Sequence, residues 1–402
     1  MRWEVGTLMA FAMGSRPIWK EDEILKLTLA LFQLDRRGGK ERDCLAIARS
    51  LAERGHDVTI VTTSRPASET RPYRIVTVPR RGLTNHALAR NFARKAMNYC
   101  SETGSDACLA FERIPGAEFY YAADNPAAFK VRGVRSLLPR GRIRLALERG
   151  VFEQSPCPFF FFLTEQQRSQ FGALYRFDTS RSVVLPLILH DDRYDMAAAD
   201  SDPARIRQQL KLPATSPVAI SIAVSSALDN KGVDRSLAAL AHLPDLYLVA
   251  VGSDDRRLKR RVKALGLERR VRIVPHASNI IELIAAADVL VHPARSEAAG
   301  QVIGEALLAA TPAIISSVCG YAPCIERSGA GVVLEEPFRQ DAFEQAISGT
   351  LARLPVARAA AARESQRLQH ERGKWLAVIG DEIERRIGSV SAASSAEQCR
   401  RT

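Results

Sequence analysis

The feature of this sequence that most restricts its fold is an alternation of apolar runs with amphipathic segments. Residues 26–34 are largely apolar and predict a buried strand, and a glycine pair follows at 38–39. In residues 41–55 apolar side chains recur at intervals of three and four, which predicts a helix that ends at a glycine. Residues 56–63 predict a second strand. Strand, glycine turn, helix and strand in this order indicate a parallel α/β unit.

A second and more regular alternation follows residues 186–217, a polar segment with prolines that we interpret as the interdomain region. Five strands and four helices are predicted there, enough for a second doubly wound sheet. We therefore predict an α/β protein of two doubly wound domains that face each other across a cleft, where the carboxyl ends of the strands bind ligands. The predicted strands are 218–224, 246–251, 271–275, 288–293 and 313–317, and the helices lie near 233–242, 256–265, 279–286 and 300–310.

The length of 402 residues also favours two domains. We place the predicted segment boundaries where the composition of the sequence changes. The predicted segments are a disordered extension at 1–25, a first domain at 26–188, a second domain at 189–365, a helix at 366–388 that returns toward the first domain, and a disordered Ser/Ala-rich tail at 389–402.

The net charge of +12 implies an anionic partner, which is a nucleic acid, a membrane surface or a phosphorylated substrate. Residues 132–149 are one strongly basic segment, where six arginines accompany one glutamate and leucines are interleaved. This segment suits an anionic membrane surface or a phosphorylated lipid. The alternative is a solvated basic face. Nucleic acid is not expected as a partner because no recognised binding module accompanies the segment.

The seven cysteines are scattered and contain no C-x-x-C pair. This pattern predicts neither a zinc site nor a disulfide framework, and we expect no metal and no cofactor. A reduced, cytoplasmic compartment fits best.

Two acids, Glu297 and Glu305, lie eight positions apart at a predicted strand-to-helix junction. The helix is predicted to begin near Gly300, and its first free N–H groups would form an anion site that a glycine leaves open to a phosphate. One acid on each side of a phosphate site suits a nucleotide-sugar, because a carboxylate accepts two hydrogen bonds from a vicinal diol. The alternative to a nucleotide-sugar site is that one acid only stabilises the dipole at the helix start and the other is an ordinary surface acid.

These acids belong to a longer pattern in which the chain resembles retaining glycosyltransferases of family 4, which have the GT-B fold. The resemblance is strongest to the lipopolysaccharide inner-core glucosyltransferases and covers roughly residues 26–345. The matching pieces are GGKERD (38–43), TNH (84–86), IPG (114–116), AAD (122–124), LTEQQ (163–167), NKGVDRS (230–236), AAAD (285–288), HPA (292–294), EAAG (297–300), VCGYA (318–322) and EPF (336–338).

The resemblance implies that the enzyme transfers a hexose, expected to be glucose from UDP-glucose, to a heptose of the lipopolysaccharide inner core with retention of configuration. The first domain would hold the acceptor and the second the nucleotide-sugar. Retention in this group is attributed to a front-face reaction in which the leaving diphosphate takes the acceptor proton, so no separate base or metal is needed. The protein would lie on the cytoplasmic face of the cytoplasmic membrane as a peripheral protein, in contact with the lipopolysaccharide core or another glycolipid acceptor.

The resemblance also implies roles for individual residues. Glu297, Lys231 and Asp43 would be the catalytic residues. Glu297 would hold the hydroxyls of the donor sugar, Lys231 would neutralise the leaving diphosphate, and Asp43 would lie near the transferred sugar. The remaining donor-side residues would be Gly39, Arg193, Ala299, Gly300, Gln301, Val302 and Glu305, with Glu305 on the ribose. His86 and Asp124 would lie on the acceptor side, although each residue type is also common in purely structural positions.

The sequence departs from the family pattern at its phosphate turn. Asn230-Lys231 stands where the family usually has Arg-Lys, and residues 225–229 replace a glycine-rich run. The usual Pro-Pro-Gly and Gly-Leu-Pro are also replaced, at 186–188 and 310–312. A lost charge-assisted contact is worth about 1.5–3 kcal/mol, so weaker donor binding is expected. The alternatives are a transferase with a different donor or glycolipid acceptor, a degenerate non-catalytic homologue, and a sugar-nucleotide epimerase.

Overall fold

The computed structural model describes residues 24–34, 38–64, 71–131, 133–199, 202–223, 227–252, 256–277 and 279–399. These residues form two parallel β-sheets, each part of an α/β domain, as the alternation predicts.

The first sheet has seven parallel strands, which are β1 (Lys26–Ala30), β2 (Asp57–Thr62), β3 (Arg74–Thr77), β4 (Ala107–Ala110), β5 (Phe119–Ala122), β6 (Phe159–Phe162) and β7 (Ser182–Val184). Their order across the sheet is β3-β2-β1-β4-β5-β6-β7. Its helices are α1 (Gly39–Glu53), α2 (Asn85–Thr103), α3 (Ala127–Lys130), α4 (Val134–Leu137), α5 (Pro139–Phe152) and α6 (Glu165–Gly172).

Strand β6, with the sequence FFFF, shows why an uninterrupted apolar run suits this sheet. Phe159 and Phe161 pack in one apolar cluster, and Phe160 and Phe162 pack in another. Successive side chains of a strand point to opposite faces, so all four phenylalanines are buried only when both faces are covered.

The second sheet has six parallel strands, which are β8 (Val218–Ile222), β9 (Tyr247–Val251), β10 (Val271–Val274), β11 (Val289–His292), β12 (Ala313–Ser316) and β13 (Gly331–Leu334). Their order is β10-β9-β8-β11-β12-β13. The helices that follow the first sheet are α7 (Asp191–Ala198), α8 (Pro203–Gln209), α9 (Val233–His242), α10 (Arg256–Ala264), α11 (Ile280–Ala285), α12 (Gln301–Leu308), α13 (Ala322–Ser328), α14 (Gln340–Ala352), α15 (Leu354–Gln369) and α16 (Lys374–Cys399).

The prediction of five strands in the second sheet was wrong by one, because β13 adds a sixth. This strand is short and begins at Gly331, where φ is +147° and an added Cβ would lie 1.8 Å from the carbonyl oxygen of Ala313. A glycine at this start lets β13 approach β12 closely enough to pair. Four residues after a glycine-rich turn carry too little periodicity to predict a strand.

Helix α16 returns from the second domain to the first, where it packs on α1. Arg54 Nη1 donates to Asp381 at 2.9 Å and to Glu384 at 3.0 Å. Trp375, at the start of the helix, is buried, and its indole N–H donates to the carbonyl oxygen of Leu189 at 3.2 Å. The helix therefore ties the interdomain segment to the first domain.

Two predictions of disorder fall at the chain ends. The helix α16 continues to Cys399, so a disordered tail from 389 is corrected for residues 389–399. The physical reason is that the Ser/Ala-rich sequence continues a helix already formed and contains alanine, the strongest helix former. Residues 400–402 and the predicted extension up to residue 23 lie outside the described residues. Leu25, in the last part of that extension, is buried beside β1.

Candidate active site

Gly300 is the N-cap residue directly before helix α12, and it adopts a left-handed conformation with φ +91°. A Cβ at this position would lie 2.8 Å from Ile303 Cδ1 and 3.3 Å from Glu297 Cγ, so a larger residue would clash. Ile303 is buried against the sheet and fixes the direction of the helix. The turn from β11 into α12 therefore requires glycine and sets Glu297 just before the helix start.

Two neighbouring side chains, Lys231 and His292, stabilise the charged form of Glu297. The ammonium of Lys231 donates to Glu297 Oε2, and His292 Nε2 lies 3.2 Å from the same oxygen. Burial favours the neutral acid, but the hydrogen bond with His292 and the charge of Lys231 outweigh it and lower the pKa of Glu297 to about 2. Glu297 is thus an ionised carboxylate in a largely buried site, as an acceptor of hydroxyl hydrogen bonds must be.

The turn after β8 brings Lys231 to this acid. Gly232 has φ +72°, and an added Cβ would lie 2.0 Å from the carbonyl oxygen of Pro293. The turn therefore packs in direct contact with the residue that follows β11. Asn230 Nδ2 donates to the carbonyl oxygen of Ser296 at 2.7 Å. The asparagine that stands where the family usually has arginine therefore ties the turn to the loop before Glu297.

Glu305, one turn into α12, is buried and paired with two arginines. Arg193 Nε donates to Glu305 Oε1 at 2.7 Å, and Arg42 Nη1 lies 3.9 Å from the same oxygen. Burial and the nearby charge of Arg193 lower the pKa of Arg42. Arg193 comes from α7 and Arg42 from α1, so the acid joins the second domain to the interdomain segment and the first domain.

Asp43, on α1, is a buried acid that three different elements contact. Tyr121 donates its hydroxyl to Asp43 Oδ2 at 2.8 Å, and His190 Nε2 lies 2.9 Å from Oδ1. Gln301 Nε2 donates to Oδ1 at 3.0 Å from the start of α12. A Cβ on Gly39 would lie 3.0 Å from Gln301 Oε1, so the glycine also permits this close approach between the domains.

His86 and Asp124 line one cavity of about 240 Å³ in the first domain. His86 Nε2 lies 3.1 Å from Thr84 Oγ1, and Asp124 lies 3.7 Å from the ammonium of Lys40. The next residue, Asn125, donates from Nδ2 to Ser296 Oγ at 3.4 Å, directly before Glu297. Asp124, in the wall of this cavity, is therefore adjacent in sequence to a residue that contacts the loop before Glu297. The acceptor-side roles of His86 and Asp124 remain predictions.

The basic segment 132–149 folds into α4 and most of α5, and exposes apolar side chains between its arginines. Val134 is 75%, Leu137 73% and Leu138 53% exposed. Its one acid, Glu148, is fully buried and accepts a hydrogen bond from Arg113 Nε at 2.7 Å. Because the acid is turned inward, the exposed surface of the segment combines arginines with apolar side chains.

The described ranges contain neither a group of metal ligands nor a helix that could span a membrane. No three His, Cys, Asp or Glu side chains come together there as ligands for a metal ion. None of the helices in those ranges has the length and apolar composition that crossing a bilayer requires.

The predicted donor-side residues gather at one junction of the two domains. Glu297 and Lys231 pair directly, Glu305 pairs with Arg193, and Gln301 contacts Asp43. The sequence reasoning missed four participants, which are Arg42, Tyr121, His190 and His292. His292 lies five residues before Glu297 in a matched motif and could have been found from that spacing. Arg42 lies in the matched piece 38–43, directly before Asp43, and could have been found there. Tyr121 and His190 carry no local signal, because folding brings them in from other elements.

Comparison with known proteins agrees with this geometry. The family described as glycosyl transferases group 1 matches residues 202–363. Lipopolysaccharide glucosyltransferase WaaG of Escherichia coli K12 is 32% identical over 329 residues, which cover 79% of this chain and 87% of WaaG. The crystal structure of WaaG, described as a glycosyltransferase involved in lipopolysaccharide biosynthesis, superposes with a TM-score of 0.80 at 29% identity over 89% of this chain and 99% of that one.

The fold extends to more distant enzymes. The sucrose-phosphate synthase of Thermosynechococcus elongatus has a TM-score of 0.75 at 19% identity and covers 92% of this chain and all of its own. The fold class that the sequence predicts is therefore confirmed. With an α12 junction that matches the family pattern and a relative 32% identical over most of both chains, this chain belongs to the group 1 glycosyltransferases of the GT-B fold.

Proposed function

We propose that this glycosyltransferase transfers a hexose, glucose from UDP-glucose, to a heptose of the lipopolysaccharide inner core with retention of configuration. The observation that carries the proposal is the contact between Lys231 and Glu297 beside the start of α12. A cation, a carboxylate and a helix start at one point suit a diphosphate joined to a sugar. The relation to a lipopolysaccharide glucosyltransferase supports the choice of sugar and acceptor.

In the proposed reaction Glu297 accepts hydrogen bonds from hydroxyls of the donor sugar and fixes its ring. The bond between the anomeric carbon and the diphosphate oxygen breaks, and the acceptor hydroxyl forms a new bond on the same face. The acceptor proton passes to the departing diphosphate oxygen. Lys231 and the first N–H groups of α12 stabilise the negative charge that grows there, and positioning supplies much of the remaining rate.

Glu305 is proposed to bind the donor ribose, with Arg193 holding its carboxylate in place. The 2.7 Å contact between Arg193 and Glu305 supports this assignment, because the guanidinium fixes the direction of the buried carboxylate. Arg193 was expected at the donor phosphates. Its contact with Glu305 gives it a further role, that of orienting the ribose-binding acid.

The enzyme is also proposed to work as a peripheral protein on the cytoplasmic face of the cytoplasmic membrane, held by α4 and the start of α5. The exposed side chains of Val134, Leu137 and Leu138 among arginines support this. Apolar side chains that enter the lipid interface, with cations facing anionic headgroups, are the pattern of surface-bound helices.

The decisive experiment offers the purified protein UDP-, GDP- and ADP-sugars together with a heptose-bearing core acceptor, and identifies products by mass. One added hexose from UDP-glucose is expected, and product NMR should show an α-linkage if configuration is retained. Transfer from another sugar nucleotide or to another glycolipid would replace the assigned substrates. Conversion of a UDP-sugar without acceptor would indicate an epimerase, and no UDP binding at high micromolar concentration would indicate a degenerate homologue.

A matched pair of variants tests the site within that assay. Glu297→Gln keeps the shape of the side chain but removes its charge, and we expect kcat/KM to fall by about a hundredfold, the scale of one or two charge-assisted hydrogen bonds. Glu268→Gln makes the same change at an exposed position far from the junction and should leave the rate unchanged. Full activity in Glu297→Gln would remove this residue from the mechanism.

A further inference from the structure

Two arginines of α5, Arg140 and Arg144, line the same cavity as His86 and Asp124. They are four residues apart, so both lie on one face of the helix, one turn from each other. Arg142, between them in sequence, is exposed and does not line the cavity. Arg140 is also exposed and Arg144 is half-buried, so what sets this pair apart from Arg142 is its place in the cavity wall.

Neither guanidinium of this pair forms a direct ion pair with an acid of the described residues. In the described part of the chain no carboxylate lies within 4.0 Å of either guanidinium, and the first turn of α5 contains no acid. The closest acid in sequence, Glu148, is already bound by Arg113 Nε at 2.7 Å and by the Tyr175 hydroxyl at 2.7 Å. Burial and the repulsion of Arg113 and Arg140 lower the pKa of Arg144, and the charges of Asp124 and Glu148 offset this only in part. A bound anion would relieve this repulsion.

The other walls of the cavity suit a sugar. Phe32, Phe92 and Ile143 give an apolar surface for a ring face, while Glu112 and Asp124 offer oxygens to hydroxyls. The volume of about 240 Å³ lies below the roughly 300–1,000 Å³ of sites for drug-sized ligands, which suits one sugar unit. The cavity thus combines hydroxyl acceptors with the guanidinium groups of Arg140 and Arg144, while the third arginine of its lining, Arg113, is bound to Glu148.

We propose that this cavity is an acceptor subsite for a sugar that carries an anionic group, a carboxylate or a phosphate monoester, which Arg140 and Arg144 recognise. The inference rests on the proposed function, because it assumes a sugar acceptor. It adds the chemical class of that acceptor and the residues that select it. Guanidinium groups bind carboxylate and phosphate oxygens in pairs of parallel hydrogen bonds, so two of them give strong selection for the anion.

The position of the cavity favours an acceptor sugar over a lipid headgroup. Its rim at Asp124 continues to Asn125, which contacts Ser296 beside Glu297. A fluid headgroup layer would meet exposed arginines such as Arg142 and Arg149 as readily as the cavity pair. Only a ligand inside the cavity distinguishes Arg140 and Arg144 from them.

The test uses soluble, lipid-free heptose oligosaccharides in three matched forms, with a carboxylate, with a phosphate monoester, and neutral. The full-length protein and its Arg140→Gln, Arg144→Gln and Arg142→Gln variants are assayed with UDP-glucose. Wild type should use one anionic form about ten- to a hundredfold better in kcat/KM than the neutral form, the scale of one or two charge-assisted contacts. The ratio should collapse toward one in the Arg140 and Arg144 variants and persist in Arg142→Gln. The preferred form identifies the anion as carboxylate or phosphate.

Equal use of all three forms by the wild type would overturn the proposal, as would an equal loss of preference in Arg142→Gln, which would indicate a general effect of surface charge. Transfer to none of the acceptors would instead contradict the proposed function. In that case calorimetry with the same oligosaccharides, without donor, still decides: binding that requires the anion and Arg144 supports the subsite, and equal binding of all forms rejects it. Unchanged thermal midpoints confirm that the variants are folded.

Discussion

Asp43 of the first domain and Gln301 of the second are joined by a hydrogen bond of 3.0 Å from Gln301 Nε2 to Asp43 Oδ1. The same carboxylate contacts His190 of the interdomain segment at 2.9 Å and Tyr121 of β5 at 2.8 Å. One buried acid thus links both domains at the residue that begins α12. The position of helix α12 relative to the first domain therefore depends on Asp43.

Replacing Asp43 by asparagine should weaken the contact between the two domains and lower both stability and activity. The amide has one acceptor oxygen in place of two, so the three donors around it cannot all be satisfied, and a lost buried contact costs about 1–3 kcal/mol. We expect lower stability by that amount in denaturant unfolding and about a tenfold or larger fall in kcat/KM. Asp57→Asn is the matched control, because Asp57 forms only an exposed pair with Arg74, of the kind worth about 0–1 kcal/mol. Equal effects of the two variants would contradict the linking role.

The low pKa of Glu297 predicts a defined acid dependence of stability. Its pKa in the folded protein is about 2, against an ordinary value of 4.5. A depressed pKa stabilises the fold above the ordinary value, and this stabilisation disappears as the pH falls from 4.5 toward 2. The shift corresponds to on the order of 3 kcal/mol at neutral pH.

Unfolding of wild type and Glu297→Gln should be compared across that range. Wild type should be more stable at pH 7, and the difference should shrink below pH 4.5. A difference that stays constant from pH 7 to pH 2 would show that the ionised carboxylate is not what stabilises this site. Glu268→Gln, at an exposed position, provides the baseline for a neutralised acid.

Asn230→Arg should strengthen donor binding. The variant restores the second cation of the family pattern, worth about 1.5–3 kcal/mol, and loses the neutral hydrogen bond to Ser296, worth about 0.5–1.5 kcal/mol. The middle values of the two ranges differ by about 1.2 kcal/mol, which corresponds to nearly tenfold tighter UDP binding by calorimetry. Asn230→Ala loses the hydrogen bond without adding a charge and should bind UDP no better than wild type. Weaker binding by Asn230→Arg than by Asn230→Ala would mean that the turn cannot direct an arginine to the phosphates.

Membrane binding should depend on α4 and on the residue that follows it. Leu137→Asp with Leu138→Asp places charges on the exposed apolar surface, and flotation with vesicles that contain anionic lipid should fall by at least about tenfold. Val356→Asp changes another exposed side chain, on α15, and should float as wild type does. Loss in both variants would mean that membrane contact is not confined to this segment. High salt should also weaken wild-type binding, because the arginines are exposed.

Most of the fold could be predicted from local periodicity and glycine positions. Much of the site depends instead on contacts between residues that are distant in sequence. The start of α12 at Gly300 follows from a strand, a glycine and a helical repeat in adjacent sequence. Glu297 was identifiable for the same reason. The contacts of His190 with Asp43 and of Arg42 with Glu305 were not, because the partners lie 147 and 263 positions apart in sequence. Spacing in sequence contains no information on such contacts until the sheets are assembled.

Trp375 anchors the return of α16 and connects stability to the site. Its ring is buried, packs edge-on to His190 at 5.6 Å between centroids, and donates to the Leu189 carbonyl. Trp375→Ala should lower stability by about 3–5 kcal/mol, because it removes a large core side chain and leaves a cavity. Since His190 contacts Asp43, activity of the folded fraction should also fall. Trp375→Phe keeps most of the ring and loses the hydrogen bond, so its thermal midpoint should lie between wild type and alanine. Unaltered kcat/KM in folded Trp375→Ala would show that the helix supports stability alone.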